Sequence, residues 1–367
     1  MKHKLKKTET HDSLYRSQKS EVRSQFFALF SVLCPPSSVF CLQALLFAYL
    51  TIFICGCEDL LQPTTGDFNV SNKNTPWSKA LRITQESLAD SNPLVRVHAI
   101  EVVASTGQLR FISAIHLLLR DKSMPVRFAA ALAVGDLEYS NAKGSIAKLL
   151  NDEDSNVVIA AAYAMSKLGS VEYLEVIRKA LGNDDQNVRA NAALLLGKRG
   201  DKSALKSLWQ TIQDKNSDDK VVYQSAEAIA MLGDERIYPK LWTMLISAHW
   251  DVQLMGVKAM GKLGTPDAKN ALIRMFDDDI MEVRLEAARQ LGVFRDPIGE
   301  AVVLDVFEKK LIRTLDKQAA ERANVLTALA IGQIGTPNLR RFLPQLLQNE
   351  SKFVRIAAAK AVFQCVK

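Results

Sequence analysis

Residues 183–200 read NDDQNVRANAALLLGKRG, and this stretch decides the fold. Its first five residues form a polar turn rich in side chains that cap a helix start. From Val188 the pattern changes to a run of small and aliphatic residues. Val188, Ala192 and Leu196 recur every four positions and share one face of a helix. Ala192 is small where a neighbouring helix would approach, and Gly200 offers a left-handed stop. An amphipathic helix about four turns long is expected here, narrow on one side and polar on the other. Enlarging Ala192 should disturb packing, whereas truncating Lys198, on the opposite face, should cost little.

The same template recurs along the chain. Its first residue falls at Val95, Val126, Val157, Val188, Val221, Val252, Val283, Ala323 and Val354, with steps of 31, 31, 31, 33, 31, 31, 40 and 31. Counting that residue as zero, position four is always small or short, from Ala99 to Ala358. Position eight is always apolar, from Val103 to Val362, and position nine is Gly or another small residue in eight of nine copies. The one long step places an insertion between about Pro297 and Gln318. Second amphipathic stretches lie between the template helices, as at Phe111–Leu119, Leu174–Leu181, Tyr238–Ile246 and Ala268–Phe276. In Gly264-Thr265-Pro266 and Gly335-Thr336-Pro337 a proline starts the second helix.

A unit of two antiparallel helices in about 31 residues, repeated nine times, resembles HEAT repeats. Specifically, it resembles the short variety found in phycobilin-lyase-like proteins, and the resemblance covers residues 76–367. It implies an all-α fold, a HEAT-type α-solenoid of about nine helix-pair repeats. Stacked at about 10 Å per layer, these would make an open arc or rod of roughly 90 Å.

The amino-terminal part is organised differently. Residues 1–25 hold seven Lys/Arg against three Asp/Glu, residues 26–57 carry no charge, and 58–75 are polar. Within the apolar run Pro35-Pro36 leaves Val39–Cys57 as the better helix, about 28 Å long and close to a bilayer core. The basic residues before it favour the cytoplasmic side and send the remainder outward. Ile54-Cys55-Gly56-Cys57 resembles the bacterial lipobox, which implies lipidation of Cys57; an uncleaved signal anchor is the alternative. Residues 58–75 then serve as a tether. The expected address is the cell envelope, membrane-anchored, with the solenoid outside the cytoplasm.

Charge and motifs exclude more than they assign. The net charge is +7, from 47 Lys/Arg and 40 Asp/Glu, but the body after residue 57 is near neutral and lacks the basic face of a nucleic-acid binder. Four of the five cysteines lie in the apolar run, leaving Cys365 alone in the body. Neither a P-loop nor a nucleophile elbow occurs. The di-iron centre of some HEAT-repeat hydroxylases uses paired His-Glu dipeptides, and this sequence has none. No cofactor, metal centre or catalytic constellation is expected; His98 and His116 read as groove or surface residues. Arg96, Arg127, Arg189, Arg284 and Arg355, all at position one, should pair with acidic residues of neighbouring turns.

The face opposite the packing stripe carries positions three, six and ten, which in HEAT-like solenoids look into the concave side. Tyr163, Lys167, Asn191, Lys198, Glu227, Met255, Lys258, Lys262, Arg289, Leu326 and Leu329 lie there. Such a mixture of aromatic, apolar and cationic side chains suits a protein-binding groove. The expected function is a membrane-tethered protein-interaction scaffold without catalysis; a HEAT-type enzyme or lyase subunit is the alternative. The chain stops right after the ninth template helix, where Phe363 and its neighbours should face water. Self-association or partner docking through that end is therefore expected.

Overall fold

The computed structural model describes residues 75–366; the basic segment, the apolar run, Cys57 and nearly all of the tether lie outside the described residues. Nine long helices correspond to the nine templates: α2 (Pro93–Thr106), α4 (Met124–Asp136), α6 (Ser155–Lys167), α8 (Gln186–Arg199), α10 (Asp219–Met231), α12 (Trp250–Leu263), α14 (Met281–Val293), α16 (Lys317–Ile334) and α19 (Lys352–Cys365). Between them run the shorter outer helices α3 (Ile112–Leu118), α5 (Lys143–Leu149), α7 (Leu174–Ala180), α9 (Leu205–Gln213), α11 (Tyr238–Leu245), α13 (Pro266–Arg274) and α15 (Glu300–Glu308). In the eighth unit the outer helix is split into α17 (Pro337–Arg340) and α18 (Leu343–Leu346). A further outer helix, α1 (Pro76–Leu88), precedes the first template.

Local chemistry sets these boundaries. Asp154, Asp185 and Asp218 each accept a backbone N–H in the first turn of α6, α8 and α10, at 2.8, 2.7 and 2.8 Å. Gly107, Gly200, Gly264 and Gly335 end their inner helices in the left-handed conformation. Units two and seven make the same turn without glycine, through Glu138 (φ 50°) and Arg295 (φ 58°). The long step between units seven and eight has two sources. A 3-10 turn follows a left-handed Lys310, and α16 begins six residues before its template residue Ala323.

The packing stripe is as the sequence requires. Ala99, Ala130, Ala161 and Ala192 at position four, and Val103, Val134, Leu196 and Ile229 at position eight, are all fully buried. Position nine brings backbones together. A Cβ on Gly197 would sit 2.7 Å from Ala228 Cα, and one on Gly332 2.7 Å from Ala361 Cα. Only glycine allows that approach.

The array is not an open arc. Each inner helix packs against the next, from α2 round to α19, and α19 then packs against both α1 and α2. Nine inner helices about 9.5 Å apart therefore enclose a circle roughly 27 Å across between helix axes. Helix α1 takes the outer place between α19 and α2, completing the ninth helix pair from the far end of the chain. Phe363 of α19 meets Trp77 of α1 edge to face, with ring centroids 5.0 Å apart. Phe353 meets His98 of α2 at 5.5 Å, and Lys352 reaches Asp90 at 2.6 Å.

This corrects two expectations. The apolar face of the carboxyl-terminal helix is covered by α1, with Phe363 1% exposed; Val366, just past the helix, stays exposed. The premise for self-association through that end is thereby removed. His98, read as a groove or surface residue, is buried at the seam between first and last units. Helix α1, which precedes the first template in the chain, is the element that covers α19.

Candidate functional site

Closure turns the concave face into the interior of a ring, and positions three, six and ten point into it. Side chains from units two apart meet there, which only a tightly curved inner surface allows. Asp136 of α4 accepts a hydrogen bond from the Tyr163 hydroxyl of α6 at 2.6 Å and an ion pair from Lys198 Nζ of α8 at 2.5 Å. Lys198 also lies 5.5 Å from the centroid of the Tyr163 ring. Beside this trio Lys167 pairs with Glu138 at 3.1 Å. Lys198 thus belongs to a network across three units and is not the dispensable surface residue its position suggested.

The second cluster spans α10, α12 and α14. Glu286 accepts both arms of Arg289, at 2.7 and 2.8 Å, and the Gln290 amide at 2.8 Å. Glu227 accepts from Gln224 at 2.8 Å. Lys258 stands between these carboxylates, and Glu227, Lys258, Glu286 and Arg289 are all buried. Burial pushes Lys258 down to about 8 in spite of the pull of Glu286 and Glu227. Burial raises Glu227 above the usual carboxylate range, with Lys262 and Lys258 offsetting only part of the cost. For Glu286 the burial penalty is outweighed by the Arg289 charge and hydrogen bonds, and its carboxyl is lowered. One carboxylate is thus held ionised while its neighbour is pushed toward the acid form.

The remaining predicted groove residues lie on the same inner face. Asn191 donates to Asn156 at 2.8 Å, Leu326 and Leu329 are buried, and Met255 and Lys262 are half-buried. Eleven residues chosen as an open groove therefore line an enclosed ring. Sequence reasoning missed Asp136, although it is the one acid at position ten of the template and that oddity was legible. Gln290, at position seven, carried no such signal.

The arginines at position one behave as expected in three units. Arg96 meets Asp121 at 2.8 Å, Arg127 meets Asp152 at 2.8 Å and Arg189 meets Asp214 at 2.7 Å. In each case the acid belongs to the following inter-unit turn. Arg284 and Arg355 instead donate to backbone carbonyls of their own turns, at Asp278 and Asn349. His116 hydrogen-bonds Ser145 at 2.8 Å on the outer layer. Among the described residues no group of His, Cys, Asp and Glu is arranged to hold a metal ion, and no helix is long and apolar enough to cross a membrane.

The sequence profile described as HEAT repeats matches residues 174–251, 212–292 and 238–313. The units within residues 174–313 are HEAT repeats. Among solved structures this HEAT array is similar to human deoxyhypusine hydroxylase in complex with glycerol, at 17% identity over 72% of this chain and 99% of that one, with a TM-score of 0.36. It is also similar to the complex of CpcE and CpcF of phycocyanin lyase from Nostoc sp. PCC7120, at 19% identity over 73% and 100%, TM-score 0.41. Kap121p matches at 14% identity over 79% of this chain and 38% of its own, TM-score 0.32. No curated protein sequence matches the chain.

Proposed function

We propose that this protein is a membrane-tethered scaffold: a HEAT ring held at the cell envelope by its amino-terminal segment, outside the cytoplasm, that binds other proteins through its outer surfaces. The observation supporting this reading is that the inner-face charges engage one another, as in Asp136–Tyr163–Lys198 and Glu286–Arg289. A ring braced from within is a stiff platform whose rims and outer helices remain for partners. Anchoring rests on the lipobox-like Ile54–Cys57 and the apolar run before it.

Metabolic fatty-acid labelling of the wild type and Cys57→Ser tests the anchor. Label should vanish in the variant and a larger, unprocessed species should accumulate; label that survives leaves only the signal-anchor form. Pull-down from membranes then tests the scaffold. A partner captured by the wild type should be lost on Asp184→Lys/Asp279→Lys, two exposed rim acids, and kept on Lys198→Ala. The reverse result would place binding in the ring interior and overturn the reading.

A second reading, a HEAT-type enzyme or lyase subunit, draws on one feature: the buried Lys258 near pKa 8 beside a Glu227 pushed upward. Oppositely perturbed neighbours of this kind are a common feature of acid–base sites. Metal analysis together with a visible absorbance scan of purified protein tests for a bound iron or bilin.

A further inference from the structure

We infer that a cavity beside the insertion of unit seven binds a zwitterionic small molecule, an α-amino acid with an apolar side chain. The site lies apart from the ring interior and does not depend on the tether. Its origin is the row of arginines at position one. Arg96 and Arg127 are held alike: Nη1 donates to two backbone carbonyls of the preceding turn, and Nη2 meets an aspartate of the following turn. That aspartate comes 25 residues after its arginine, as Asp121 after Arg96, Asp152 after Arg127 and Asp214 after Arg189. Arg284 keeps the same hold on its own turn, with Nη1 on the carbonyls of Asp278 and Asp279 at 2.5 and 3.2 Å. At the place of the aspartate, however, stands Lys309. Its ammonium turns to Asp305 at 2.7 Å, and among the described residues Nε and Nη2 of Arg284 donate to nothing.

A cavity of about 360 Å³, within the range of small-molecule sites, is lined by both Arg284 and Lys309. One wall is the turn before α14; the other runs along α15 into the insertion, where left-handed Lys310 leads to the 3-10 turn Leu311–Thr314. Phe276, Met281, Val302 and Leu311 are half-buried and give the cavity apolar surface. Four aspartates also reach it. Two are occupied, Asp305 by Lys309 and Asp278 by the Gln253 amide at 3.2 Å and the Ile280 N–H at 2.8 Å. Asp277 and Asp279 are exposed, and their carboxylates accept no hydrogen bond among the described residues. One guanidinium edge and two carboxylates therefore stay available around an apolar surface. A simple anion would satisfy Arg284 but face the two aspartates, and a simple cation would face Arg284. A molecule with both charges on one carbon meets both, its carboxylate on Arg284 and its ammonium toward Asp277 or Asp279. An aliphatic or aromatic side chain on that carbon then covers the apolar surface.

Isothermal titration of the full-length chain in detergent tests this, with L-leucine and L-phenylalanine as probes. Isoamylamine, which is leucine without its carboxylate, and 4-methylpentanoate, which is leucine without its ammonium, serve as comparisons. At least one of the two amino acids should bind, and each truncated probe should bind more weakly than leucine by about tenfold or more, the loss expected for one charge-assisted contact. Asp277→Asn/Asp279→Asn, at exposed positions, should weaken the amino acid about tenfold and leave 4-methylpentanoate no weaker than before. Val302→Trp, which fills the cavity without altering a charge, should abolish binding while thermal unfolding stays close to that of the wild type. Isoamylamine binding as tightly as the amino acid would make this a cation site, and 4-methylpentanoate doing so would make it an anion site on Arg284; either result overturns the proposal. So does the absence of saturable binding by both amino acids, or binding that survives both variants.

Discussion

Arg295 adopts the left-handed turn that six other units of the ring assign to glycine, with φ at 58°. A non-glycine residue there costs about 1–2 kcal/mol, part of which Gly returns through its greater unfolded-state freedom. Arg295→Gly should therefore raise the urea midpoint by an amount equivalent to up to about 1 kcal/mol; a lower midpoint would show that Arg295 contributes contacts worth more than the strain. Gly197 is the converse case. Alanine gains about 1 kcal/mol of helix propensity, but its methyl would meet the backbone of α10 at 2.7 Å, and overpacking costs about 1–3 kcal/mol. Backbone cannot swing aside as a side chain can, so Gly197→Ala should be net destabilising in the same denaturation measurement. Lys258 predicts a pH effect. Folding lowers its pKa from 10.5 to about 8, so between those values the unfolded chain binds more protons and stability rises with pH. Glu227, raised by burial, works in the opposite sense on the acid side. Comparing the urea midpoint of wild type and Lys258→Met from about pH 7.5 to 10 isolates the lysine. The wild type should show the steeper rise, and parallel curves would mean that Lys258 is solvated.

Among elements, legibility followed periodicity. The nine inner helices were readable because each repeats one register, small at four and apolar at eight, and a register copied nine times outweighs any local ambiguity. Their caps were readable for the same reason. The outer helices are short and begin with 3-10 turns, so their existence could be inferred but not their bounds. Helix α1 was the decisive omission. PWSKALRITQESL is amphipathic and lies before the first template, yet nothing local says that its apolar side covers Phe363 instead of simply starting a stack. The candidate site shows the same division. The template identified which residues share the inner face, but pairs such as Asp136 with Lys198 depend on curvature, and curvature is set by small rotations at eight successive interfaces. Charges that suited an open protein-binding groove are consequently paired, and are buried or half-buried.

For the whole molecule, closure changes how stability is distributed. An open solenoid frays from its ends, because a terminal unit has one neighbour and an internal unit two. Here every unit has two neighbours, but one of the nine junctions differs: α19 meets α1 and α2 without a peptide link between them. Opening at any other junction is restrained by a short turn, whereas opening at the seam releases two helical ends. The seam should therefore be the first place where the native state opens. Phe363 packs against Trp77 there, reinforced by Phe353 on His98 and by the Lys352–Asp90 pair, exposed only on its lysine side. Phe363→Ala removes a fully buried ring, a change that typically costs about 3–5 kcal/mol. In a linear array that loss would fall on α19 and its neighbour α16. In a ring it should fall on both sides of the seam, so hydrogen exchange should accelerate in α19 and, more than 250 residues earlier in the chain, in α1 and α2. Helices α8 and α10, across the ring, should keep their protection. Hydrogen–deuterium exchange followed by mass spectrometry reads all of these segments in one experiment. Acceleration confined to α16 and α19, with α1 unchanged, would mean that the ends of the array do not hold each other in solution.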